Sequence, residues 1–306
     1  MQINRLRTKT GGILNFSDYK KPVFKVVYIV ILAILFIAVL TALIPPLWLF
    51  ISGFKDASEL ESTPYHLFPE MFSIAKIAEV WKAIDFGKYF VNTLIVVVGA
   101  VLCSVVFNGL LAYAFAIIKP KGHKFFFALV MLGYMIPAIA SIVPLYKEIM
   151  NVRLLFDGAA EWLTGYAPLW LIFGANAFYL IMFKNYFESL PKALFEAARI
   201  DGCSKLGMFF KVVVPLSRPI IGVVAIFTMT AAWSDFLLPY LILQDDSLMT
   251  VMVKIYNLQA TMGTVMGFGP DRLLMVLTIS ILPQIVLFAL FQRQITANAV
   301  SSGIKE

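Results

Sequence analysis

Few residues in this chain can do chemistry, and they are scattered. Six polar side chains interrupt otherwise apolar runs: Asn108, Asn176, Thr228, Ser234, Asp235 and Gln284. Amides and hydroxyls in such settings recognise by hydrogen bonding; they do not form or break covalent bonds. Tyr134, Phe227 and Trp233 stand among them and offer aromatic faces. Each of these residues also has a plainer reading as glue between helices, worth about 0.6 kcal/mol on average. Two histidines, His66 and His123, and two cysteines, Cys103 and Cys203, lie far apart. They assemble no metal-ligand set, disulfide framework or catalytic dyad. The phosphate-binding pattern G-x-x-x-x-G-K-[ST] does not occur, so no nucleotide site is expected. One stretch stands apart: "FEAARIDGCSKLGMFFKVVVPLSRP", residues 195–219, holds Glu196, Arg199, Asp201, Lys205, Lys211 and Arg218.

Everything around that stretch is apolar. The chain is 60% hydrophobic and 14% charged, with 27 Phe and 13 Met. Six runs are long enough to cross a bilayer: Val26–Phe50, Val91–Ile118, Phe125–Tyr146, Ala167–Phe183, Ile220–Leu243 and Leu273–Phe291. None contains Lys or Arg, and Asp235 is their only acid. The expected class is therefore an all-α integral membrane protein with six transmembrane helices. The expected boundaries are a tail at 1–25, a membrane domain at 26–291 that includes a loop at 189–218, and a tail at 292–306. The first run is too long for a signal-peptide core and reads as an uncleaved anchor.

Six spans put both termini on one side. The tails and the loops after the second and fourth spans hold 6, 3, 6 and 2 basic residues in chain order, 17 of the 25 Lys and Arg. Positive charge stays on the cytoplasmic side, so both termini and the 189–218 loop are expected there. The basic pI reflects this topology and makes no case for nucleic acid. On the opposite side, "SIAKIAEVWKAIDF" sets Ile74, Ile77, Ala78 and Trp81 at helical spacing. This predicts an amphipathic helix on the outer surface, resting on lipid or docking a partner.

The charged loop reads as two short helices. Ser189 and Pro191 suit the first turn of one that runs to about Asp201. Gly202 then fits a left-handed position past its end, and Ser204 can cap a second. In the second, Leu206, Phe209, Phe210 and Val213 form one apolar stripe. Ala197 and Ala198 leave a smooth patch between Glu196 and Arg199. Periodicity leaves two readings open, a knob that docks on another protein or a helix that covers the membrane domain.

The pattern Glu196-Ala197-Ala198, with Gly202 after three further residues and a Val214–Pro215 ending, resembles the EAA loop of importer-type ABC transporter permeases. "EAARIDG" followed by "VVPLSRP" resembles the carbohydrate-uptake, MalG-like branch. "YFVNTLIVV", "LAYAFA", "MIPAIASIVPLY", "AWSDFLLPY" and "SSGIKE" resemble further family segments in order, over nearly the whole chain. Two features depart from the pattern. Cys203 stands where alanine is usual, and Asn151–Trp170 is longer than the family's connection and lacks its Asn-Thr pair.

The resemblance implies a multi-pass subunit of a bacterial cytoplasmic membrane importer, with no cofactor or metal of its own. It implies a heterodimer with a second homologous permease, two ATPase subunits, an extracytoplasmic solute-binding protein and a carbohydrate substrate. Glu196, Ala197, Ala198, Arg199, Asp201 and Gly202 would couple to the ATPase. Asn108, Tyr134, Asn176, Phe227, Trp233, Asp235 and Gln284 become candidates for the substrate path. Asp235 lies about 15 residues into its span, about 22 Å along a helix, where a structural hydrogen bond near the outer gate is the first reading. The glycine-rich segment Lys254–Arg272 would reach the binding protein, with Gly263, Met266, Gly267 and Phe268 as contacts; the plainer reading is a connection packed on the spans. The alternatives are an importer of a non-sugar solute such as a glycerol phosphate, or a secondary transporter, which the single intramembrane acid disfavours.

The charge asymmetry generates a prediction. With Thr8→Cys or Ser302→Cys in a background lacking the native cysteines, a membrane-impermeant maleimide leaves both unlabelled in intact cells. Labelling of either from outside overturns the topology.

Overall fold

The computed structural model describes residues 22–261 and 268–303, without the side chains of Phe24, Ala138 and 293–303. Every regular element among them is helical. Hydrocarbon has no water to pair with a backbone, and a helix satisfies its own N–H and C=O groups. In chain order the elements are α1 (Pro22–Gly53), α2 (Ala75–Ala83), α3 (Phe86–Ile118), α4 (His123–Tyr134), α5 (Ile142–Leu154), α6 (Glu161–Phe173), α7 (Ala177–Ser189), α8 (Lys192–Ile200), α9 (Lys205–Leu216), α10 (Arg218–Ser234), α11 (Leu237–Ile242), α12 (Val251–Ala260) and α13 (Pro270–Gly303).

Among the described residues three helices are long and apolar enough to cross a membrane alone, within α1, α3 and α13; the number rises to six if each of three bent pairs is one span. The third to fifth runs are thus broken where continuous spans were expected. Pro137 stops the third, since proline lacks an N–H and disfavours helix at the residue before it; the halves meet at 95°. The fourth breaks between Phe173 and Ala177 with a bend of 53°. The fifth run is α10 continued by α11, interrupted at Asp235–Phe236. α9 meets α10 at 82°, so the charged segment lies across the span it precedes. At the C-terminus α13 continues to Gly303.

α3 is the central post, in contact with α6, α7, α10 and α12. One core lies at the end that carries α8 and α9, where Phe183, Phe187, Phe195, Met208, Phe209 and Val213 pack together. Another lies at the far end, around Phe54, Val80, Phe86, Phe268, Met275 and Val276. α1 is exposed along nearly its whole length, as suits a helix that is apolar all round and faces lipid. It rests on α13 at Gly53, where a Cβ would fall 2.5 Å from Thr278 Oγ1, so the close approach requires glycine. The Thr278 hydroxyl donates to Leu49 O at 3.1 Å across that contact.

The surface helix is found as α2, and the apolar face expected to meet lipid or a partner is left open. Lys76 and Val80 are buried, while Ile74 is 79% and Trp81 37% exposed. Burial of Lys76 is offset by Asp271 at 3.3 Å, Asp56 at 3.6 Å and the carbonyl of Lys55. A desolvated ammonium is tolerated when paired and hydrogen-bonded in this way.

The break in the fourth span leaves helix-end groups without partners in an apolar setting, and Asn108 of α3 supplies them. Its amide donates to Phe173 O at 2.9 Å, and its Oδ1 accepts from Asn176 N at 2.9 Å. It also donates to Ser104 O at 2.9 Å, and Thr228 donates to Ser104 Oγ at 3.1 Å. Asn176 in turn accepts from Tyr179 N at 3.2 Å and caps α7. Asn108→Leu strands two part-buried backbone groups, at up to about 1–3 kcal/mol each. The purified protein in detergent is expected to melt several degrees lower than wild type. An unchanged melting temperature would show that the bridge is dispensable.

Candidate functional site

The charged segment folds as two helices joined by a bend. α8 is preceded by Pro191, which lacks an N–H that would otherwise go unpaired. Ser189 closes α7 instead, its hydroxyl donating to Tyr186 O at 2.6 Å. Gly202 has φ +74°, a left-handed conformation open to glycine at no steric cost. Ser204 accepts from Gly207 N at 3.0 Å and caps α9. The apolar stripe of α9 differs from that expected. Phe209–Val213 is a wider π-helical turn, which rotates Met208, Phe209 and Val213 inward and leaves Leu206 64% and Phe210 56% exposed.

The docking candidates divide by burial. Phe195 and Ala198 are buried against α7 and α9, while Glu196, Ala197, Arg199, Asp201 and Gly202 are exposed. A recess of about 470 Å³ opens beside them, lined by Lys119, Glu188, Lys192, Glu196 and Arg199 over a floor that includes Phe187 and Phe195. Tyr113 of α3 donates to Lys205 O at 3.0 Å, and Tyr186 of α7 to Leu216 O at 3.1 Å. Both ends of α9 are thereby fastened to the membrane helices.

A second feature runs along α10. Phe227, Thr230, Ala231 and Ser234 recur at helical spacing and are all exposed. Gln284 of α13 donates to Ser234 Oγ at 2.8 Å. Asp235, at the break, accepts from Leu238 N at 3.4 Å in the first turn of α11. The hydroxyls of Thr230 and Ser234 are open and the Gln284 amide and Asp235 carboxylate beside them are half-buried; polar groups in such a setting mark a water-accessible path more often than a lipid face. By contrast, α4 and the middle of α13 expose Phe125, Phe126, Leu129, Leu282, Ile285 and Phe288.

The expected path residues therefore separate. Phe227, Ser234, Asp235 and Gln284 gather on this face. Tyr134 is 56% exposed at the end of α4, away from them in the chain. Asn108 and Asn176 hold the break between α6 and α7. Trp233 is 1% exposed and donates to Ser280 O at 3.2 Å, so it holds α10 to α13 and is closed to solute. Sequence reasoning missed Phe236, Tyr240 and Tyr256, whose rings meet with centroids 4.6–5.2 Å apart at the far end of the face. Phe236 and Tyr240 were visible as a pair one helical turn apart; Tyr256 comes from α12, and no local spacing announces it.

The far end is held by "YFVNT". Tyr89 donates to Asp246 Oδ2 at 2.7 Å, and Asn92 donates to Ser247 O at 2.8 Å and Met249 O at 3.0 Å. Thr93 accepts from Val251 N at 2.9 Å, capping α12 from a neighbouring helix, and Tyr166 donates to Leu248 O at 3.0 Å. The segment 246–251 is thus pinned to α3 and α6. Of the expected binding-protein contacts, Gly263, Met266 and Gly267 lie outside the described residues. Phe268 is 6% exposed in the far-end core, so it roots that segment and does not project from it.

Residues 105–299 match a protein family described as binding-protein-dependent transport system inner membrane component. The chain is similar to the diacetylchitobiose uptake system permease protein NgcG of Streptomyces coelicolor, 30% identical over 273 residues, covering 89% of this chain and 86% of that one. It is similar to the arabinooligosaccharides transport system permease protein AraQ of Halalkalibacterium halodurans, 30% identical, covering 86% and 91%. It is also similar to the sn-glycerol-3-phosphate transport system permease protein UgpE of Yersinia pestis, 28% identical, covering 88% and 94%. Among solved structures, a chain of a bacterial ABC transporter involved in import of the acidic polysaccharide alginate shares the fold. Its TM-score is 0.71 at 22% identity, covering 92% of this chain and 99% of that one.

The far-end clamp titrates. Hydrogen bonds from Lys254, at 2.8 Å, and from Tyr89 hold the Asp246 carboxyl below the usual range. Burial opposes the charge on Lys254, but its bonds to Asp246 and Tyr89 outweigh burial and raise its pKa. A lowered carboxyl pKa contributes stability that is complete above the ordinary carboxylate range and is lost as pH falls through the lowered value. Asp246 is 55% exposed, so screening limits this to under about 1 kcal/mol. The protection of amides at 247–251, taken relative to their intrinsic exchange rates at each pH, is expected to fall below pH ~4, and Asp246→Asn should show the lowered protection at all pH values. Identical pH profiles in both proteins would remove Asp246 from the clamp.

Proposed function

The chain belongs to the binding-protein-dependent transport system inner membrane components, and from that premise we propose that it forms half of the translocation pore of an ATP-driven carbohydrate importer. Its partner in the pore is a second, homologous permease. Two ATPase subunits engage α8 and α9, and a solute-binding protein delivers substrate at the far end. Both termini and the α8–α9 segment are cytoplasmic, as the basic residues argue.

The observation that carries this reading is the accessible polar face of α10 and α11. It offers hydroxyl, amide and carboxylate groups beside aromatic rings, and the six apolar runs contain no Lys or Arg. A phosphate ester calls for such cations. A neutral polyhydroxylated solute does not, and relatives named for diacetylchitobiose and arabinooligosaccharides support it over the relative named for glycerol 3-phosphate. Oligosaccharides also fit a path with open hydrogen-bonding groups rather than a closed pocket.

Coupling follows from the shape of the charged segment. Glu196 and Arg199 stand exposed around the small Ala197, so a partner surface can come close and still find charges that set its register. The inward side is rooted in the same core as α7 and α3, so a push on α8 moves the spans. Wild-type cells expressing the complete importer should accumulate a labelled oligosaccharide. Glu196→Lys reverses the expected docking charge. At Gly202 no neighbouring atom lies within 4 Å of an added Cβ, so Gly202→Asp costs its own fold only about 1 kcal/mol of backbone strain. Both variants are expected to insert normally and lose most transport. Normal uptake in both would reject the docking role.

A further inference from the structure

We propose that Phe236, Tyr240 and Tyr256 form a stacking platform for a sugar ring at the far-end mouth of the transport path. The proposal rests on the carbohydrate reading above and adds a subsite to it. Phe236 and Tyr240 stack at 5.2 Å with 29° between their planes, and Tyr256 meets them at 4.6 Å and 5.2 Å. Tyr240 is 40% and Tyr256 43% exposed, so the cluster opens outward at the surface. Among the described residues no hydrogen bond engages either tyrosine hydroxyl.

The surroundings select the occupant. Phe236 directly follows Asp235, and Ser234 precedes it with the Gln284 amide attached. Phe236 and Tyr240 thus follow the polar residues of α10 directly in the chain, with the exposed Leu237 between them. In lipid the exposed phenols of Tyr240 and Tyr256 and the remaining lone pairs of the Asp235 carboxylate would find no water, an unfavourable setting for each. A sugar ring suits both halves of the surface, with apolar C–H faces for the rings and equatorial hydroxyls for the phenols and for Asp235. The platform is also firmly held. α12 carries Tyr256, and its start is fixed by Thr93 and Asn92 of α3, so a solute would meet rings already in place.

The test uses the complete importer in intact cells. With Cys103 and Cys203 replaced by alanine, Tyr240→Cys and Tyr256→Cys are treated with a membrane-impermeant maleimide. Arabinooligosaccharides, diacetylchitobiose and raffinose are the sugar probes, with sn-glycerol 3-phosphate as the control. Both cysteines should label, and the sugar that wild type imports should slow labelling about threefold or more, with no protection by the control. Tyr256→Leu should raise the half-saturating sugar concentration about tenfold, or ~1.4 kcal/mol. Tyr256→Phe should stay within about twofold, because it keeps the ring. If wild type imports a sugar yet Tyr256→Leu leaves half-saturation unchanged, the platform alone falls. Cysteines that stay unlabelled place the rings against lipid or the second permease and also overturn the platform alone. If wild type imports only the phosphate ester, the carbohydrate reading falls and the platform with it.

Discussion

The amide of Asn108 lies where three elements would otherwise part. A span that breaks inside hydrocarbon leaves a carbonyl on one side and an N–H on the other, and neither finds water. Asn108 bonds to both, at Phe173 O and Asn176 N, from a position on α3 that is 1% exposed. Ser104 and Thr228 extend the network to α10. Because the fourth span can bend there, α7 reaches the charged segment at an angle to α6, and Phe183 and Phe187 of α7 build the core on which α8 and α9 rest.

The two ends of the molecule are made rigid by different means. At the charged end, apolar packing dominates: Phe195, Ala198, Met208 and Phe209 are buried, and the exposed side is left to Glu196, Ala197 and Arg199. At the far end, side chains of α3 and α6 take up the backbone groups of 246–251, and Lys76 is buried against acids. Those bonds do for an irregular segment what a helix does for itself. Between the ends lies α10, the span whose exposed face keeps polar groups.

Several expectations about single residues changed for one shared reason. Trp233 and Asn108 were read as path candidates, yet both are closed within the protein and bonded to neighbouring helices. In each case the side chain's own type and spacing fit the first reading. What decided the matter was a partner distant in sequence: Ser280 for Trp233, and Phe173 and Asn176 for Asn108.

The sequence alone determined that the chain is helical and built for a membrane, because six long apolar runs admit little else in hydrocarbon. It also determined the bend of the charged segment. Gly202 and Ser204 act within a few residues of themselves, and both take the expected roles, left-handed turn and helix cap. The family was legible for a similar reason, since its motifs are short and local. Only the tertiary structure decided where the spans break, which polar groups stay open, and that Tyr256 joins Phe236 and Tyr240. Those outcomes depend on packing between helices that meet far along the chain. A hydrogen bond between Asn108 and Asn176, or a ring contact between α11 and α12, leaves no periodic trace in either segment that makes it.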